Sequence, residues 1–206
     1  MAGTTVALAI AMMSPIAYAD AGLKLRPGSF GPGTEGAWKA KHGLPDSKGN
    51  ARHGLYLQKF AATATFSAAY AVVDNIEGLP AAALTELSWE HRMDGHCGAG
   101  APRWNVVVEG ASGTEYTLFL GCAAAADSPG SGPGWEKDSH TSPGILAVGA
   151  ANSGNTLNLP DIQAGTITAL YILFDERTDQ GPGFVYLDNI SVNGKVFTGP
   201  MDNGNH

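Results

Sequence analysis

The chain has 206 residues, a formal net charge of −7 and 44% hydrophobic content, enough for one domain with a sizeable core. It carries no basic run, which excludes the electrostatic footprint of a nucleic-acid binder. Glycine is abundant (28) beside moderate proline (12), and no segment sustains a helical apolar stripe, so many short strands joined by turns are expected.

Residues 1–19 hold no charge, with an apolar run over 6–13 and a small-x-small site at Ala17-Tyr18-Ala19. This reads as a signal peptide cut before Asp20, although the usual Lys or Arg near its start is missing. A membrane anchor is disfavoured because the run is short and holds Pro15. The expectation is an exported chain without a membrane span, folded as one domain over residues 20–206. Residues 20–36 are rich in Gly and Pro and read as an irregular lead-in. Residues 37–42 and 53–60 read as strands around a polar turn at 45–50. Residues 61–73, with Phe66, Tyr70 and Val72 at even spacing, predict a strand that ends at Asp74-Asn75.

Residues 84–93 alternate cleanly. Leu87, Trp89, His91 and Met93 share one face, and Glu86, Ser88, Glu90 and Arg92 share the other. A loop follows, and then 103–109 and 115–121 predict a hairpin across 110–114. Cys97 and Cys122 flank the open end of that hairpin. An even cysteine count in an exported chain predicts one disulfide between them. Two cysteines are too few for a full zinc site without histidines. Residues 123–144 form the longest low-complexity stretch and read as a loop, with short strands at 145–150 and 156–159. Residues 166–174 read as a strand covered on both faces, 175–183 as a loop, and 184–192 as the return strand. On that last strand Val185 and Leu187 have one parity, Ile190 and Val192 the other. A bulge at Asp188-Asn189 keeps both pairs in the core. The tail from 195 onward is polar and is expected to fray.

The string Val185-Tyr186-Leu187-Asp188-Asn189-Ile190, followed by Val192-Asn193-Gly194, resembles the last strand of β-jelly-roll modules of the carbohydrate-binding kind. The resemblance is confined to the C-terminal hairpin. It implies an all-β, antiparallel two-sheet β-sandwich of jelly-roll type. It also implies a structural calcium on Asp188, a hard ion suited to oxygen ligands, with Glu35 and Asp46 available as partners.

Two constellations could carry chemistry. Trp135, Glu136, Asp138 and His140 form a usable sugar-binding set: the ring stacks on a pyranose and the acids accept hydroxyl hydrogen bonds. The alternative is that Trp135 only anchors its own loop. Glu90, Asp94 and His96 are the candidate acids and bases of the densest titratable cluster. Against that, His91 shares parity with apolar residues and reads as a hydrogen-bonded core histidine, and its spacing to His96 matches no named metal motif. Trp89 and Trp104 are either core or an exposed aromatic platform. The chain has no nucleophile elbow, P-loop or dinucleotide fingerprint. It also lacks the paired-acid strings of laminarinase-like sandwich glycosidases. A mature N-terminal Asp20 cannot serve the copper brace of oxidative polysaccharide-cleaving enzymes.

The leading functional expectation is a secreted, non-catalytic module that binds a carbohydrate or cell-surface glycan. The second is a glycoside hydrolase or lyase on the same fold, using Glu90, Asp94 and His96 or Glu136 and Asp138. The third is a structural or adhesion protein of an extracellular assembly. The disulfide gives the first test. Closing the Cys97–Cys122 loop is expected to stabilise by about 3 kcal/mol. Thiol titration of the denatured, unreduced protein should find no reactive thiol.

Overall fold

A computed structural model describes residues 22–45, 52–153, 158–176 and 181–200. The first half supplies strands β1 (Lys24–Phe30), β2 (Thr34–Lys39), β3 (Gly54–Lys59), β4 (Ala68–Asp74), β5 (Glu86–Arg92) and β6 (Arg103–Glu109). The second half supplies β7 (Glu115–Gly121), β8 (Ala126–Pro129), β9 (Trp135–Thr141), helices α1 (Gly144–Asn152) and α2 (Leu159–Gln163), then β10 (Thr166–Phe174), β11 (Phe184–Val192) and β12 (Lys195–Phe197). They build two antiparallel sheets, β1-β4-β10-β6-β7 and β2-β3-β11-β5-β9-β8, with β12 on β11. This is the antiparallel two-sheet sandwich of jelly-roll type that the resemblance of the C-terminal strand implies.

The core lies between the sheets. Leu55, Leu57, Leu87, Val185 and Leu187 project from the larger sheet, and Val106, Leu118, Leu120, Leu170 and Ile172 from the smaller, all with 0% exposure. Trp89 and Trp104 meet across this layer with ring centroids 5.4 Å apart and planes 24° from parallel. Both are fully buried, so of their two readings core packing holds. The Cys97–Cys122 disulfide is present, with Cα atoms 5.6 Å apart. It ties the β5–β6 loop to the end of β7.

Several segments differ from their sequence reading. The lead-in contains β1. Its Pro27 is tolerated because β1 is an edge strand. A Cβ on Gly36 would lie within hard contact of the Gly28 main chain, so this glycine lets β2 cross close over β1. Residues 61–67 are a loop and the strand starts at Ala68. The buried Lys59 holds that loop, its Nζ donating to the carbonyls of Thr63 (3.0 Å) and Thr65 (2.9 Å). Residues 123–144 are not one long loop but contain the β8–β9 hairpin. Residues 145–150 belong to helix α1, not a strand. Pro143 precedes its first turn, and Gly149 lets the helix lie close on β7, where a Cβ would come 2.8 Å from Leu118. Residues 195–197 pair as β12 rather than fraying. The signal peptide, Asp46 and residues 154–157 lie outside the described residues.

The parity slip in β11 is a bulge. Register runs Leu187↔His91 and Asp188↔Glu90, then resumes at Ser191↔Ser88. Two residues thus oppose the single Trp89. Asn189 takes a left-handed φ of 44° to make the kink. Val185, Leu187, Ile190 and Val192 are consequently all at 0% exposure. Asp188 anchors the kink: its Oδ2 accepts the main-chain N–H of Leu44 (2.6 Å) and its Oδ1 that of Asn189 (2.8 Å). Among the described residues it joins no group of three His, Cys, Asp or Glu ligand atoms. The described geometry therefore gives Asp188 hydrogen-bond donors. Asp188→Ala is expected to lower stability by about 1–3 kcal/mol, since it strands a buried N–H. Denaturant titration checks the loss, which should be equal with and without chelator; a chelator-dependent loss would place an ion here.

Candidate functional site

Strand alternation decides which side chains reach solvent. With Leu55, Leu57, Val185, Leu187, Leu87 and Trp89 turned inward, their neighbours cover the outer face of the larger sheet. Register places Tyr186 opposite Tyr56, and Trp135 opposite Arg92. The Arg92 guanidinium lies over the Tyr186 ring, 4.0 Å from its centroid. Tyr56, Tyr186, Arg92 and Trp135 therefore form one row across four strands, about 14 Å long at the usual strand spacing.

Further rings thicken this row. Tyr56 and Tyr186 have centroids 4.8 Å apart, and Phe184 lies 6.2 Å from Tyr56 and 6.0 Å from Tyr186. His42 stacks on Tyr186 at 4.8 Å, 10° from parallel. Tyr56, Phe184, Tyr186 and Trp135 are half-buried, so each ring is supported on one side and accessible on another. Burial, then the neighbouring Tyr186 and Glu35, raise the Tyr56 pKa, which keeps the phenol a neutral donor; it donates to Gln58 Oε1 at 2.6 Å.

Charges on this face are largely paired with each other. Arg92 makes a two-pronged bond to Asp94 (2.7 and 3.0 Å), and Lys39 pairs with Glu35. Glu90 is 4% exposed and accepts hydrogen bonds from the Ser131 N–H, the Ser131 hydroxyl and the Asn189 amide. What remains is aromatic surface edged by hydroxyls and amides.

Strand β9 divides the expected ligand set. Trp135 joins the outer row. Glu136, Asp138 and His140 have the opposite parity and face the interior. Asp138 is 2% exposed, and its Oδ2 accepts the Trp89 indole N–H (2.9 Å) and faces His91 Nδ1 (2.6 Å). His91 is thus a hydrogen-bonded core histidine. The His140 Nε2 is buried and has no hydrogen-bond partner among the described residues. Glu90, Asp94 and His96 are not assembled into one set. Glu90 is held by Ser131, Asp94 by Arg92, and His96 Nε2 by Glu176 at 2.7 Å. Sequence reasoning missed Tyr56, Tyr186, Phe184 and His42. The usable signal was that both tyrosines and Phe184 share parity with solvent-facing positions.

No protein-family model matches the chain, and no curated protein matches it. Among solved structures it is similar to the family 11 carbohydrate-binding module of a Clostridium thermocellum cellulosomal cellulase, with TM-score 0.41 and 14% identity over 82% of this chain and 88% of that one. It is similar also to a family 30 carbohydrate-binding module of another cellulosomal cellulase of that organism, with TM-score 0.44 and 12% identity over 82% and 90%. A third similarity is to a beta-1,2-glucanase from Parabacteroides distasonis, with TM-score 0.39 and 18% identity over 82% of this chain but 22% of that one. Likenesses at this level carry no function to the chain.

The buried His140 yields a pH prediction. Burial pushes its pKa below the usual 6.5, with Asp138 and then Asp127 partly opposing. The unfolded chain therefore binds a proton that the folded one resists. His140 imposes no penalty above 6.5 and costs stability as pH falls from there toward its folded value. Denaturant titrations at about pH 7.5 and about pH 5.5 should show lower stability in acid, and His140→Gln should shrink that difference.

Proposed function

We propose that the protein binds a carbohydrate chain on the outer face of its larger sheet and does not cleave it. The observation that carries this reading is the row Tyr56, Tyr186, Arg92 and Trp135, thickened by Phe184. A pyranose has an apolar face that stacks on such rings and a rim of hydroxyls that needs donors and acceptors. Gln58, the tyrosine hydroxyls and the Trp135 indole supply those at the edges. A row about 14 Å long suits several sugar rings in line. The internal pairing of Arg92 with Asp94 and of Lys39 with Glu35 suits a ligand recognised by stacking more than by charge.

A binding role fits the acids of this face better than catalysis. Glu90 and Asp94 are each committed to hydrogen bonds within the protein, whereas a glycosidase needs a facing carboxylate pair with one acid free to give its proton. The uncharged, apolar start of the sequence and the disulfide support an exported module, and a cell-surface or extracellular glycan is then the natural ligand.

Glycan-array screening followed by affinity electrophoresis tests the reading. Tyr56→Ala with Phe184→Ala, and separately Trp135→Ala, should weaken binding at least about tenfold, the scale expected when ring stacking worth about 1–1.5 kcal/mol and its apolar burial are lost. Melting temperatures should move little because these rings lie outside the core. Binding that survives both variants, or release of reducing sugar from the bound glycan, would sink the proposal.

A further inference from the structure

The inward side of β9 faces away from the aromatic row, between the sheets. There a recess of about 230 Å³ opens at the sandwich edge, lined by His91, Asp127, Glu136, Asp138 and the Cys97–Cys122 disulfide. It is smaller than the pockets of roughly 300 Å³ and above that take small organic ligands. At about 30 Å³ per water it suits an ion with part of its hydration shell.

Register sets Asp127 opposite Asp138 on adjacent strands, and Glu136 shares their face. One oxygen from each of the three carboxylates lies within 4.8 Å of the others. The side chains of Asp127 and Glu136 accept no hydrogen bond from any described residue. Asp138 is 2% exposed, yet Trp89 and His91 both use its Oδ2. Among the described residues its Oδ1 meets only the Cys97 sulfur at 3.8 Å, which in a disulfide has no proton to give. A nine-tenths-buried carboxylate thus keeps one oxygen without a donor beside two more unpaired carboxylates. Two residues along the same strand, the buried His140 Nε2 also has no hydrogen-bond partner among the described residues. Buried polar atoms left in this state mark a missing water or ion.

We propose that Asp127, Glu136 and Asp138 bind a divalent cation of the hard, oxygen-seeking class, calcium foremost. Soft-metal chemistry is disfavoured by the other two nearby ligand types: Cys97 is locked in its disulfide, and His91 Nδ1 is committed to Asp138. Waters complete the shell. The ion clips β8, whose four residues are all exposed, to β9. This site does not depend on glycan binding.

Terbium(III), a calcium stand-in, tests it on the intact, oxidised, chelator-stripped protein. The Trp89 indole beside Asp138 should sensitise saturable terbium emission that calcium displaces. Asp127→Asn combined with Glu136→Gln should weaken terbium and calcium binding at least tenfold, while Asp188→Asn should leave both unchanged. Both substituted acids are solvent-accessible, so a melting curve in chelator matching wild type will show that the double variant folds. Absence of saturable emission, equal affinity in the double variant, or loss on Asp188→Asn instead would each overturn the assignment.

Discussion

The kink at Asp188-Asn189 is the constraint on which the larger sheet depends. β11 is its central strand, flanked by β3 and β5. A strand with period two cannot bury Val185, Leu187, Ile190 and Val192 together without one extra residue. The left-handed Asn189 supplies that residue, and Asp188 fastens the bend to the β2–β3 connection through the Leu44 N–H. This same tie brings His42 against Tyr186. The bulge therefore serves the core on one side of the sheet and seats the aromatic row on the other. Gly43 is part of this joint: a Cβ there would lie 2.5 Å from Asp188 Oδ2, so a larger residue would push the connection off the carboxylate.

Strand β9 shows how alternation lets seven residues serve two environments. Outward, Trp135 and Lys137 belong to the open face. Inward, Glu136, Asp138 and His140 put polar groups where a sandwich normally places aliphatic ones. Such a strand is costly unless its inward groups find partners. Trp89 and His91 partner one oxygen of Asp138. The disulfide lines the recess beside these groups, where a low local dielectric makes each remaining unpaired atom count for more.

Legibility in the sequence followed the apolar period. The bounds of the β6–β7 hairpin, β10 and β11 were readable because valine, leucine and isoleucine mark these strands, and the parity slip gave away the bulge; β10, read as covered on both faces, in fact buries one face and leaves Thr166 and Thr168 exposed on the other. The disulfide followed from that hairpin. β9 was not readable as a strand: its inward positions are Glu136, Asp138 and His140, so the hydrophobic signal is absent even though the backbone is extended. β1 was hidden by Pro27 and Gly28, which an edge strand tolerates. Helix α1 was hidden because its short run Ile145-Leu146-Ala147-Val148 is apolar on every side, which leaves strand and helix indistinguishable by period. The outer aromatic row was in the sequence as Tyr56, Phe184 and Tyr186, but only cross-strand register brings it together.

In the proposed binding role, the rings of the outer row would contribute more than their area. Free aromatic side chains on a sheet surface would have to be immobilised when a ligand arrives, at about 0.5–1.5 kcal/mol each. Here Tyr186 is already held by His42 and by Arg92, and Arg92 is held in turn by Asp94. Tyr56 is held by its hydrogen bond to Gln58 and its packing on Tyr186. Much of the ordering has therefore occurred on folding. The cations that stiffen the row are already matched to carboxylates, so they lend rigidity without giving the face a strong net field. Under the proposed binding role, a face built this way would discriminate by the shape and spacing of what stacks on it, with the strand register that sets the ring spacing as the specificity element.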